Sequence, residues 1–233
     1  AIKRQSENCD ATFLSGGLDS SIIASVMAKQ PRPLYTYSLD YEGNAENFKG
    51  NMYQVSLDHD FIEAMIAQCD STHTKLMITQ QELAERARYY QPVGNIGAAF
   101  TYNEPLVGWE YVRDAAERIH AYGMKNVMVT NGHASLSVLE ELLPYVDAMN
   151  IDLKCFRKEG YKKLGGDLDT VKAFITRAAA NCHVELTTLV VPGENDSLEE
   201  IEEEAAWIAS VSRDIPLHIT RFFPRYRMTD REA

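Results

Sequence analysis

From Gly97 onward, apolar positions recur in two alternating rhythms. The small, apolar run Gly97–Thr101 and the runs carrying Val, Ile, Leu or Met at Asn126–Thr130, Asp147–Leu153, Val184–Val191 and Leu217–Thr220 read as strands. Between them lie stretches with helical spacing. Glu110–Ala121 carries Val112, Ala115, Ala116 and Ile119 on one face, and Ser135–Leu143 stops before Pro144. Leu168–Ala180 is a third helix. Ser197-Leu198-Glu199-Glu200 has the form of a capping box that opens a fourth, reaching Ser210. Even alternation of strand and helix predicts a parallel sheet, and its regularity predicts a partial (β/α) barrel.

The front of the chain follows a different plan. Ala11–Leu14 reads as a short buried strand broken by Ser15-Gly16-Gly17, and Ser20–Lys29 as a helix with Ile22, Ile23, Val26 and Met27 on its apolar side. Pro33–Ser38 and His73–Ile78 read as further strands. These predict an open parallel α/β segment. The chain thus divides into residues 1–85 and 86–233, and Thr79–Gly97 holds the helix start that joins them.

Charge and composition narrow the function classes. A formal net charge of −11 argues against a general nucleic-acid surface, which needs a basic stripe. No stretch approaches the about 18 apolar residues of a membrane helix, and no signal-peptide pattern opens the chain. The expectation is a cytoplasmic protein with small-molecule partners, neither nucleic acid nor membrane. Much of the acid lies in Glu199, Glu200, Glu202, Glu203 and Glu204, which reads as a solvated helix face. Cys9, Cys69, Cys155 and Cys182 are too far apart for a metal-binding motif and read as buried free thiols. His59 and His73 read as surface or helix-edge histidines, His133 and His183 as solvent-facing or structural ones, and Asp40, Glu42, Asp58 and Asp60 as loop or capping carboxylates. The start at Ala1, without Met, reads as a fragment.

A strand, a Gly-rich turn and a helix make an anion site for a physical reason. Glycines let backbone N–H groups converge, and the helix N-terminus adds free N–H groups and the positive end of its dipole. In Ser15-Gly16-Gly17-Leu18-Asp19-Ser20-Ser21, the hydroxyls of Ser15, Ser20 and Ser21 can reach phosphate oxygens, while Asp19 holds magnesium or caps the helix. Phe13–Ile23, FLSGGLDSSII, resembles the pyrophosphate loop of asparagine synthetases, which are ATP pyrophosphatase-type enzymes. The resemblance covers about residues 1–85 and implies ATP with magnesium, weakly held, at Ser15, Gly16, Gly17, Asp19, Ser20 and Ser21. The family's glutaminase domain and its downstream aspartate-bearing segment have no counterpart in the sequence.

In a (β/α) barrel the reactive groups gather at the C-terminal ends of the strands. Here those ends read Thr101-Tyr102-Asn103-Glu104-Pro105, Thr130-Asn131-Gly132-His133, Asp152-Leu153-Lys154, Pro192-Gly193-Glu194-Asn195-Asp196 and Arg221-Phe222-Phe223. Helix capping by Asn103-Glu104 or Asn195-Asp196, a plain turn at Asn131-Gly132 and a surface role for Lys154 stand as simpler readings. GNIGAAFTYNEPLV (94–107), VTNGH (129–133), MNIDLK (149–154), TTLVVPGENDS (187–197) and RFFPRYRMTDR (221–231) resemble the radical S-adenosylmethionine family, in its pyruvate formate-lyase activating-enzyme-like branch. The resemblance implies S-adenosylmethionine at Asn103, Glu104, Thr130, Asn131 and Lys154. A carboxylate and an amide suit its ammonium group, and a lysine suits its carboxylate. The family's C-x-x-x-C-x-x-C motif, whose thiolates hold a [4Fe–4S] cluster, is missing, and Cys155 and Cys182 cannot replace it by spacing.

The expectation is therefore a truncated radical S-adenosylmethionine-like protein joined to an asparagine-synthetase-like ATP-binding fragment, with no catalytic or metal-ligating residue assigned and without the full activity of either. An ATP-dependent amide-ligase fragment and a non-enzymatic chimera with residual nucleotide binding are the alternatives. The join is expected near residues 79–90, inside a helix that suits both patterns, and the C-terminal pattern reads as cut at Ala233.

Overall fold

A computed structural model of the chain describes residues 9–41, 59–101 and 103–224. Glu42, Asp58 and the segment past Pro224 lie outside them. The chain forms two compact units, Ala1–Thr79 and Gln80–Ala233.

In the first unit, β1 (Ala11–Phe13), β2 (Tyr35–Tyr41) and β3 (Thr72–Ile78) form a parallel sheet in chain order. Helices α1 (Leu18–Met27) and α2 (His59–Cys69) connect them. Leu14, Ala24, Met27, Leu34 and Cys69 are buried together, with Ile23, Ile62, Met65 and Ile66 packed against them. Ile22 stays 45% exposed, so the buried stripe of α1 runs through Ile23, Ala24 and Met27 instead. The opposite sheet face leaves Phe13, Leu39 and Leu76 exposed. His73 corrects its surface reading. It lies within β3, and its ring nitrogens sit 2.9 Å from Thr36 Oγ1 and 3.0 Å from Ser38 Oγ, both buried residues of β2. Burial, with His59 nearby, pushes its pKa down.

The second unit opens with α3 (Gln80–Tyr89), whose Ala84 and Ala87 pack with Ile119 and Met124. Five parallel strands follow in chain order: β4 (Gly97–Phe100), β5 (Lys125–Thr130), β6 (Ala148–Asp152), β7 (His183–Val190) and β8 (Leu217–Arg221). Between them run α4 (Trp109–Ala121), α5 (Leu136–Leu142), α6 (Lys158–Lys163), α7 (Leu168–Ala179) and α8 (Leu198–Val211). Parallel neighbours that are consecutive in sequence need crossover connections, which the intervening helices supply, and a shared hand of crossover puts such helices on one face. That is the arrangement of a partial (β/α) barrel.

Strand alternation sets the two faces. Met128, Met149, Ile151, Val184 and Leu186 are buried with Leu139, Leu142, Val171, Phe174 and Ile175 of the helices. Each such side chain stabilises by roughly 1.5–3 kcal/mol. The alternate positions Val127, Val129, Asn150, Asp152, Glu185 and Thr187 are only partly covered. On α4, Val112, Ala115, Ala116 and Ile119 are all buried, as their spacing predicts. Asp167 caps α7 by accepting from Thr170 N, and Ser197 caps α8 by accepting from Glu200 N. Such caps are worth about 1 kcal/mol each.

Two sequence readings change in α8. The acidic run is not one solvated face, because Glu200 and Glu204 are 4% and 2% exposed. They share a stripe with Ile208 at intervals of four, which turns them onto the sheet. Nor does Glu200 complete a capping box, since its carboxylate accepts from Phe156 N at 2.6 Å. The cysteines also differ from a uniform set of buried thiols. Cys69 and Cys155 are buried, Cys182 is half-buried and Cys9 is exposed.

Candidate functional site

The phosphate loop is built as its sequence requires. Gly16 takes a positive φ of 78°, a conformation most side chains resist. Gly17 occupies the N-cap position of α1 and offers no side chain there, so the first turn's N–H groups carry no side-chain cap. Ser20 Oγ accepts from Ser15 N at 3.1 Å and lies 3.0 Å from Ser15 Oγ. Ser20 and Ser21 both donate to Gly17 O. Asp19 is exposed in the first helical turn. Thus the structure brings Ser15, Gly16, Gly17, Asp19, Ser20 and Ser21 into one loop, its hydroxyls bonded to one another and to the backbone. Asp40 corrects its loop or capping reading, since it lies within β2 and pairs with Lys75 of β3 at 2.6 Å.

The second cluster lies at the C-terminal ends of β4 to β7. Glu104 caps a 3₁₀ turn (Pro105–Gly108) by accepting from Leu106 N at 3.2 Å. The same Oε1 accepts from Thr130 Oγ1 at 2.5 Å, and Oε2 accepts from Asn131 N at 2.8 Å. A carboxylate offers four acceptor positions. Among the described residues three are used, two on Oε1 and one on Oε2. The capping reading and the rim reading of Glu104 are therefore both met by one side chain. Thr130 also accepts from Gly132 N, and Asn131 Oδ1 accepts from His133 N. Gly132 has φ +65°, and a Cβ there would sit 2.8 Å from Ile151 Cγ2. His133 is structural, its Nε2 accepting from Asp167 N. Asn103 is exposed beside Glu104.

Lys154 stands on the next strand end, where its Nζ donates to Asp152 Oδ2 at 2.5 Å. Its backbone is held on both sides. Lys154 N donates to the Tyr161 hydroxyl, and Lys154 O accepts from Asn195 Nδ2 at 2.8 Å. Asn195 also donates to Leu189 O and accepts from Val191 N. It is 5% exposed and staples the ends of β6 and β7 together, a role different from capping α8. Burial pushes the Tyr161 phenol far up, so it stays neutral. The sequence reading missed Asp152, Tyr161, Thr188, Asn195 and Glu200 as supports. Only Glu200 and Glu204 left a sequence signal, the four-residue step to Ile208.

The donor set does not fit an iron–sulfur cluster. A [4Fe–4S] centre of this kind needs three neighbouring thiolates. The cysteines fall two to each compact unit, and among the described residues no group of three His, Cys, Asp or Glu side chains is placed to hold a metal ion. Burial also keeps the thiols of the second unit protonated, pushing Cys155 up and Cys182 to about 11.

Comparison with known proteins finds two families along the chain, their matches overlapping at residues 69–107. The asparagine synthase family model matches residues 6–107. Asparagine synthetase [glutamine-hydrolyzing] 3 of Bacillus subtilis is 42% identical over 79 residues, covering 32% of this chain and 13% of that protein. Uncharacterized protein MJ0808 of Methanocaldococcus jannaschii is 35% identical over 163 residues, 66% of this chain and 45% of the relative. The chain thus spans less than half the length of these curated relatives. The structure of Streptococcus suis SuiB bound to S-adenosylmethionine aligns with a TM-score of 0.50 at 11% identity, covering 76% of this chain and 47% of SuiB, and shares the fold. The Radical SAM superfamily model matches residues 69–208, more than half of the sequence. With its sequential parallel sheet and polar strand-end rim, this chain belongs to the radical SAM superfamily and carries an asparagine-synthase-like segment in front.

Proposed function

We propose that this fusion is a two-site binding protein without the full catalytic activity of either parent. The rim of the second unit binds S-adenosylmethionine through Asn103, Glu104, Thr130, Asn131 and Lys154. The Ser15–Ser21 loop binds ATP with magnesium weakly. The observation that carries the reading is the Glu104 carboxylate, fixed across two strand ends with three of its acceptor positions used among the described residues, and a negative charge that suits an ammonium group. Lys154, on the neighbouring strand end, supplies the charge that suits the ligand's carboxylate. No radical step follows, because the sequence carries no set of three thiolates for the cluster. Cytoplasmic location is part of the proposal, and among the described residues no helix is long and apolar enough to cross a membrane. Equilibrium dialysis with labelled S-adenosylmethionine tests it. Saturable binding that Glu104→Ala abolishes supports the reading, and absence of binding to the wild-type chain overturns it.

A second reading is favoured by the 42% identity over 79 residues to an asparagine synthetase, that of an ATP-dependent amide-ligase fragment. It requires pyrophosphate release from ATP when aspartate is supplied, which a coupled pyrophosphate assay measures.

A further inference from the structure

The loop that carries Lys154 is held by a buried polar network, and one hydroxyl in it has more partners than protons. Leu153 N donates to Thr187 O, and Phe156 N donates to Glu200 Oε1. Thr188 Oγ1 lies 2.8 Å from Leu153 O and 2.5 Å from Glu204 Oε1. Thr188 and Glu204 are each 2% exposed. A hydroxyl has one proton to give, and a backbone carbonyl can only accept. If Thr188 donates to Leu153 O, the proton between Thr188 and Glu204 must come from Glu204. If Glu204 is instead ionised and takes the Thr188 proton, two buried oxygens, Thr188 Oγ1 and Leu153 O, face each other with no proton between them. Only a neutral Glu204 satisfies both contacts.

We infer that Glu204 is a neutral carboxylic acid, that the relay Glu204 O–H to Thr188 O–H to Leu153 O locks the Lys154 loop, and that loss of the Glu204 proton loosens it. The link from loop to ligand rests on the proposed role of Lys154. The surroundings favour the neutral form. From its own helix Glu204 faces Glu200, four residues away, and two carboxylates so placed resist both being charged. From the loop after β6 comes the Cys155 thiol, and from α6 the Tyr161 hydroxyl, with Lys163 acting on Cys155 and Asp152 on Tyr161. Burial first, and Glu200 second, push the Glu204 carboxyl above its ordinary value, against the Thr188 hydrogen bond.

The sign of the pH dependence follows. A carboxyl whose folded-state pKa is raised contributes stability that is complete below the unfolded value of 4.5 and is lost as pH rises through the folded value. Glu204→Gln keeps a donor at the same place and cannot titrate. The test measures unfolding and amide exchange of the full chain between about pH 5 and about pH 8, for wild type and Glu204→Gln. We expect wild type to lose stability relative to Glu204→Gln as pH rises, with exchange at Lys154 and Phe156 accelerating beyond the intrinsic pH effect in wild type alone. Parallel profiles for the two proteins overturn the inference. Should Glu204→Gln not fold, carbon-13 titration of glutamate carboxyls in wild type decides. One carboxyl titrating well above the others supports the relay, and all titrating in the ordinary range overturns it. Neither readout uses S-adenosylmethionine, so failure of ligand binding bears on the proposed function alone.

Discussion

Glu104 and Thr130 join the ends of two adjacent strands through a single short hydrogen bond, 2.5 Å from Oγ1 to Oε1. The bond ties the loop after β4 to the last residue of β5, and Asn131 N adds a second tie to the same carboxylate. A loop residue thereby gains the fixity of the sheet.

Glu104→Ala removes the acceptor for Thr130, Asn131 and Leu106 together. Unfolding in urea is expected to show a loss of about 1–3 kcal/mol, the cost of leaving partly buried donors without partners. S-adenosylmethionine affinity is expected to fall by at least about tenfold, a change of 1.4 kcal/mol. Glu104→Gln presents one amide N–H₂ to groups that are themselves donors, and is expected to fall between the two.

Gly97 of β4 stands opposite Lys125 of β5. A Cβ there would stand 1.8 Å from the backbone oxygen of Lys125. Gly97→Ala therefore forces the strands apart, and we expect a loss of about 1–3 kcal/mol or failure to fold. Gly123→Ala meets no atom within 4 Å, though its φ of +72° still strains alanine. It is expected to cost less. Thermal melts of the two variants side by side check the order.

Asp147 sets an acid limit on stability. Burial alone would raise its pKa, but bonds from Lys125, His120 and Asn126 N outweigh burial and lower it from 3.8 to about 2. Its contribution is therefore present above 3.8 and is lost as pH falls towards 2. Asp147→Asn is expected to be less stable at neutral pH and to lose less on acidification. Urea midpoints measured across this range test the sign.

Anaerobic reconstitution with iron and sulfide is expected to leave the chain without cluster absorbance, since no three thiolates neighbour one another in the sequence. In the first unit, calorimetry with Mg-ATP is expected to detect weak binding that Asp19→Ala reduces. Binding that is unchanged by Asp19→Ala removes Asp19 from the site.

The sequence by itself determined the order of the strands, most of the helices between them and the two family patterns, while α2 and α6 were not legible in it. Periodicity sufficed for α4, because an isolated helix face is a local property of Val112, Ala115, Ala116 and Ile119. The glycines and serines of the first loop were legible because backbone conformation restricts residue choice locally. Tertiary structure decided which polar groups meet. Glu200 and Glu204 look like their charged neighbours in the chain, and only packing of α8 on β7 buries them. Asn195 resembles a helix cap until β6 and β7 lie side by side and present it with the carbonyls of Lys154 and Leu189. Hydrogen bonds between strand ends depend on register across dozens of residues, and no local pattern records that register.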